Sequence, residues 1–165
     1  MKALFRLTLL VVVALALSTG SIFAATWQPI YGATGAFYDT DEICFGTKLS
    51  NTNSLSVEPD FTRIICWTKT VFTAEEASLF AETLKDSRYY RLGYTINLIT
   101  ISIPNQTYTS HRCVYVSVDG TVINDSDDEF TFDILPTSWT GRSYDSILNY
   151  ARINKDILVQ NTMSL

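Results

Sequence analysis

Histidine is nearly absent from this chain of 165 residues: His111 is the only one, and cysteine occurs three times, at 44, 66 and 113. A zinc centre needs several such ligands at suitable spacing, and His111 with Cys113 supplies half of one. There is no Cys-x-x-Cys pair, no glycine-rich phosphate loop and no serine-centred elbow. Basic residues are outnumbered, 12 Lys and Arg against 17 Asp and Glu, so the chain has no basic footprint for nucleic acid or an anionic membrane surface. No cofactor or metal is expected.

What is present begins with a leader. Residues 1–24, MKALFRLTLLVVVALALSTGSIFA, carry Lys2 and Arg6 and then an apolar run from Leu7 to Leu17 interrupted only by Thr8. The run is too short for a membrane span, which needs about 20 residues, and it ends on a small residue where a signal peptidase cuts. Cleavage is expected after Ala24. The first mature residue is then not a cysteine, so the mature chain is expected to be exported, periplasmic or extracellular, and not lipid-anchored. Removing the leader takes away two basic residues and no acid, leaving ten against 17 and a formal charge of −7 on 141 residues. That length is one domain, residues 25–165, large enough to bury about two thirds of its unfolded surface.

From Trp27 to Val122 the apolar runs are short, rich in β-branched and aromatic residues, and separated by turn signals. Strands are predicted near Trp27–Tyr31, Ala36–Ile43, Arg63–Phe72, Tyr94–Ile103 and Arg112–Val118, with a partner starting at Thr121. Asp119-Gly120 between two alternating runs predicts a two-residue hairpin. Thr73 and Glu76 have the spacing of a capping box, and Ala77, Phe80, Ala81 and Leu84 then share one helical face. A second helix over Ser143–Leu158 places Tyr144, Ile147, Leu148, Ala151 and Leu158 on one side. The fold class is therefore α+β: an antiparallel meander sheet of about six strands, a helix inserted between central strands, and a C-terminal helix packed on one face. Gly46–Asp60 and the stretch from Asn124 to Trp139 read as surface loops, and the last six residues as a frayed end.

The odd cysteine count leaves three readings open. Cys44 and Cys66 flank the long loop and are the disulfide candidate, provided their Cα atoms fall within about 4.4 to 6.8 Å. Cys66 with Cys113 is the rival, although a simple meander would not place those strands side by side. The third reading leaves three buried thiols acting as small hydrophobes. His111 and Cys113, two apart on a strand, should share a face, yet no orienting third residue accompanies them and no catalytic residue is assigned. The acids from Asp125 to Glu129 lack the glycine and terminal glutamate of an EF-hand and read as a solvated turn. Asp39 and Asp41 read as turn or capping residues. Asn105 and Asn124 are sequons only in a host that glycosylates. Arg88, Tyr89, Tyr90, Arg91 and Tyr94 concentrate residue types favoured at interfaces and form the candidate partner-contact patch.

Taken in order, WQPI at Trp27, FYDTDEI at Phe37, CWTKTVF at Cys66, YVSVDGTVI at Tyr115, and DILPTSW at Asp133 followed by YDSILNYA at Tyr144 resemble the bacterial surface-adhesin protein E-like family. That family shows a tryptophan strand, a YxDxxSI strand, a WxKxxY strand, a YDxDG hairpin and an IxPxS segment leading into a final helix. The resemblance implies a curved antiparallel sheet with a helix on one face, no known catalysis, and, for adhesin members, binding of host extracellular proteins. The sequence departs from it in lacking a lipid-attachment cysteine, a cysteine near Ile103 and a cysteine in the final helix. On this reading the chain is an exported, non-enzymatic binding module contacting a protein partner at the bacterial envelope or surface. The alternatives are a periplasmic structural protein of the envelope or a thiol-dependent hydrolase.

Overall fold

The computed structural model describes residues 25–50 and 56–164. The leader and residues 51–55 of the polar stretch lie outside the described residues. Eight strands and three helices follow in the order β1 (Trp27–Pro29), β2 (Ala36–Asp39), β3 (Cys44–Leu49), β4 (Val57–Val71), α1 (Ala74–Leu84), a short 3-10 turn (Ser87–Arg91), β5 (Leu92–Ser102), β6 (Thr107–Ser117), β7 (Val122–Ser126), β8 (Phe130–Asp133), α2 (Trp139–Ile153) and α3 (Lys155–Met163). All pairings are antiparallel, in the order β1-β2-β4-β5-β6-β7. Two strands sit beside this path: β3 pairs with the first half of β4, and β8 with the first half of β6. The class is α+β, as expected, with long β4, β5 and β6 at the centre.

Opposed residues in an antiparallel pair share a face, so the register sorts the sheet into two sides. Ile64, Cys66, Ile99, Ile101 and Tyr108 lie on one and are fully buried under Ile147 and Ala151 of α2 and Leu158 of α3. Each such aliphatic side chain contributes about 1.5 to 3 kcal/mol on burial. At the other end of this face α1 packs Ala77 and Ala81 inward, and Phe80 meets Tyr89 and Tyr115 at ring separations of 5.3 and 5.9 Å. The Thr73–Glu76 capping box forms as read. Leu84, expected on the packed face, is half exposed because the helix ends there and Lys85 turns left-handed.

The C-terminal helix is two helices. Asn154, at φ −111° and ψ 35°, leaves the helical path and separates α2 from α3, while both its backbone and side-chain N–H groups bond to the Tyr150 carbonyl. The end read as frayed is folded: α3 runs to Met163, and buried Thr162 accepts the Phe45 amide at 2.9 Å. Asn161 donates to the carbonyls of Asp41 and Ile43, both at 2.9 Å. These polar stitches have no hydrophobic period, so the sequence pattern carried no sign of them. At the start of α2, Gly141 is required because a Cβ there would stand 2.4 Å from the Leu135 carbonyl oxygen.

Three further readings need correction. Gly46–Asp60 is not a loop throughout, because β3 and β4 extend into it with Gly46 opposite Asp60 and Leu49 opposite Val57. That extension carries Thr47, Lys48 and Leu49 out into solvent, so it shows the composition of a loop. The stretch after Asn124 holds the rest of β7 and all of β8, an edge strand with Phe130 and Phe132 half exposed. The hairpin at Asp119-Gly120 is present, but Ser117 and Thr121 close a three-residue loop in which only Gly120, at φ +85°, is left-handed. This is the type I turn with a glycine bulge, the next commonest hairpin solution.

Cys44, Cys66 and Cys113 all carry free thiols. Cys44 lies opposite Ile65, so it shares the face of Ile65 while Cys66, the next residue, points into the helix-covered core. Neighbouring strands are not sufficient for a bridge when the two Cβ vectors leave opposite sides of the sheet. The expected Cys44–Cys66 bridge is not formed. Cys66 fills space beneath α2.

Candidate functional site

Among the described residues no helix packs on the second face of the sheet. Three rows cross its centre: Trp67, Leu98 and Arg112; Lys69, Ile96 and Val114; Val71, Tyr94 and Val116. Trp67, Tyr94, Ile96, Val114 and Val116 floor an open cavity of about 580 Å³, within the range of roughly 300 to 1,000 Å³ usual for ligand sites. Trp27 and Ala25 wall it at the β1 edge, and Gly120 and Val122 at the β6–β7 hairpin. The wall on the β1 side is positioned by register, with Trp27 opposite Asp39 and Phe37 opposite Lys69.

Charge around the groove is unevenly satisfied. The Lys69 ammonium lies 4.4 Å from the Tyr94 ring centroid and 5.8 Å from that of Trp27, so the aromatic floor already accommodates a cation. Arg112 closes a fork on Asp125 at 2.9 and 2.7 Å. At the Trp27 end three carboxylates line the cavity: Asp39, Asp41 and Glu42. Asp39 is only 3% exposed and accepts the Asp41 amide at 2.9 Å, and Asp41 in turn accepts the Thr26 amide at 2.9 Å. Burial raises the Asp39 pKa above the ordinary carboxylate value, the neighbouring charges of Asp41 and Glu42 push the same way, and backbone N–H groups of Asp41 and Thr26 partly oppose it. Among the described residues none of the three carboxylates forms an ion pair.

The residues singled out in the sequence are dispersed by the fold. A β-bulge between Leu98 and Ile99 leaves His111 as the extra residue on β6. A bulge of this kind turns two successive residues to one side, here His111 and Arg112, and sends Cys113 to the other. His111 bonds Glu129 and Thr100, each at 2.8 Å, rather than Cys113. The Cys113 thiol has its pKa raised by burial, the opposite of an activated nucleophile. In the acidic stretch, Asp125 serves Arg112, Asp128 bonds Ser126 and Glu129 holds His111. Among the described residues no group of three or more His, Cys, Asp or Glu is arranged to hold a metal ion.

The expected contact patch at Arg88–Tyr94 is divided. Tyr89 is buried against α1, Arg88 pairs with Asp86 and Arg91 with Asp119, each at 2.7 Å, and Tyr94 lies in the groove under Lys69. Tyr90 is half exposed, and the paired Arg88 and Arg91 are exposed beside it. A short 3-10 turn followed by a strand sends adjacent side chains in unrelated directions, so closeness in sequence did not bring all five onto one surface. The groove residues Trp67, Ile96 and Val114 were not singled out. Their signal is the double parity of β4, in which Ile64, Ile65, Cys66 and Trp67 are apolar in succession, the mark of a strand with two faces to cover.

No family model matches the sequence, and no curated protein matches it. Among solved structures, the crystal structure of protein E from non-typeable Haemophilus influenzae is similar at 9% sequence identity and a TM-score of 0.46, over 88% of this chain and 92% of that one.

Proposed function

We propose that this chain is an exported, non-enzymatic binding module, that its ligand surface is the groove on the helix-free face, and that its partner is a protein of the bacterial envelope or surface. The observation that carries the reading is the floor of Trp67, Tyr94, Ile96 and Val114, an aromatic and aliphatic surface that no helix among the described residues covers. Buried aromatic anchors surrounded by polar groups are the usual centre of a protein interface. The separation of His111 from Cys113 supports binding over thiol chemistry. A photo-crosslinking residue at position 96 in intact cells, with position 90 as an exposed control, tests the site. Adducts of discrete mass from position 96 alone, lost on Trp67→Ala, are expected. No adduct from 96, or equal labelling from 90, overturns the reading. Protease shaving of intact cells separates a surface partner from a periplasmic one.

A further inference from the structure

We propose that processing of the leader supplies a cation at the acidic end of the groove: after cleavage at Ala24, the α-ammonium of Ala25 docks against Asp39, Asp41 and Glu42 and completes the groove wall. This rests on the leader reading of residues 1–24 and is independent of what the groove binds.

The geometry behind it is a clamp on the next residue. Thr26 donates its amide to Asp41 Oδ2 at 2.9 Å and accepts at its carbonyl from the Thr40 amide at 3.1 Å and from Thr40 Oγ1 at 3.0 Å. The acidic turn is itself held from behind by Asn161 on the Asp41 carbonyl. Ala25 is one residue upstream of that clamp, a Cα step of about 3.8 Å, and lines the same cavity as the three carboxylates. In the precursor its nitrogen is an uncharged peptide N–H. Cleavage turns it into a cation beside three acids that form no ion pair among the described residues.

The other charged and titratable groups facing this end are accounted for. Lys69 on β4 lies over the rings of Tyr94 and Trp27, Arg112 on β6 is held by Asp125, and the Cys44 thiol on β3 is neutral, its pKa raised by burial and by Glu42. From α3 the group at the turn is Asn161, which is uncharged. Neighbouring opposite charge favours the charged form of a group, so an ammonium docked here stays protonated above the usual α-amino range of about 7.7 to 8.0. Its contribution to stability is complete below that range and disappears as pH rises through the raised native value.

The test uses the exported chain, with its terminus read by intact mass. The Ala25 methyl resonance is titrated with pH in protein labelled at alanine, and thermal midpoints are compared with those of a chain carrying a Gly-Ser extension before Ala25. A midpoint at least about one unit above 8 is expected, equivalent to about a tenfold preference for the charged form in the folded state. The thermal advantage over the extended chain should vanish above that midpoint. Glu42→Gln, which leaves the Asp41–Thr26 bond in place, should lower it. An amine titrating in its ordinary range, or a mature terminus at another residue, overturns the proposal, and neither outcome bears on crosslinking from position 96.

Discussion

Along β4 two neighbouring pairs of residues meet different fates. Ile64 and Cys66 lie under α2 and α3 and are fully buried, whereas Ile65 and Trp67, each one residue further on, lie on the opposite face, where Trp67 lines the groove, and are half-buried. The residue types are alike and the backbone is continuous. What differs is only what packs above each face, so the same apolar strand is core on one side and open groove on the other. A strand buried on both faces reads as an unbroken apolar run, and the helices among the described residues cover one face of this sheet.

The comparison is exposed most strongly by isoleucine truncation on either side of β5. Ile99→Ala, fully buried, should lower stability by about 2 to 5 kcal/mol in denaturant unfolding. Ile96→Ala, open to the groove, should cost about 1 kcal/mol or less by the same measurement. Equal losses would mean that the groove is as tightly packed as the core and is not an available surface. Next in size is the stitch that holds α3 to the covered face. Thr162→Val keeps the shape but leaves the buried Phe45 amide unpaired, and a loss of about 1 to 3 kcal/mol is expected. A neutral result would show that the apolar contacts of Leu158 suffice to dock α3.

The cysteines report on the two faces chemically. A thiol assay on denatured, unreduced protein should find three thiols per chain, and in the folded protein Cys66 should be the slowest to react, because complete burial pushes its pKa far up. A count of one thiol would mean that two of the three cysteines are bridged and that the strand geometry around them differs from that described.

The smallest effect expected is at Asp39. Its native carboxyl holds a proton more tightly than the unfolded one, because it is buried beside Asp41 and Glu42. The folded chain therefore gains relative stability as pH falls through the native pKa and loses it above. Asp39→Asn keeps an oxygen for the Asp41 amide and should raise the thermal midpoint above the carboxylate range. The gain should be smaller in the chain with a free Ala25 terminus than in the extended one. A midpoint lowered at every pH would mean that the charge at Asp39 is already compensated.

Much of the fold was legible where a local rule and a burial pattern agreed. The capping box at Thr73 and Glu76, the central strands and the hairpin at Gly120 each have short-range causes. Legibility failed where the cause lies elsewhere in the chain. Residues 46–49 are strand because β4 is long enough to pair with them, and β8 is strand because it finds the free first half of β6. The helix end at Thr162 is ordered by the Phe45 amide, 117 positions away. The contact patch is divided for a related reason: Tyr89 turns into the α1 core and Tyr94 into the groove, while Arg88, Tyr90 and Arg91 stay exposed.

The sequence by itself determined an acidic composition, an antiparallel α+β fold, and strands apolar at both parities. Those properties follow from composition and from periods of two and 3.6 residues, which depend only on neighbours. Tertiary structure decided which face the helices cover, that Cys44 and Cys66 point apart, that a bulge separates His111 from Cys113, and that three carboxylates meet at the entry of the chain into the groove. Each depends on register and on bulges, and moving a register by one residue exchanges the two faces of a strand without changing its pattern.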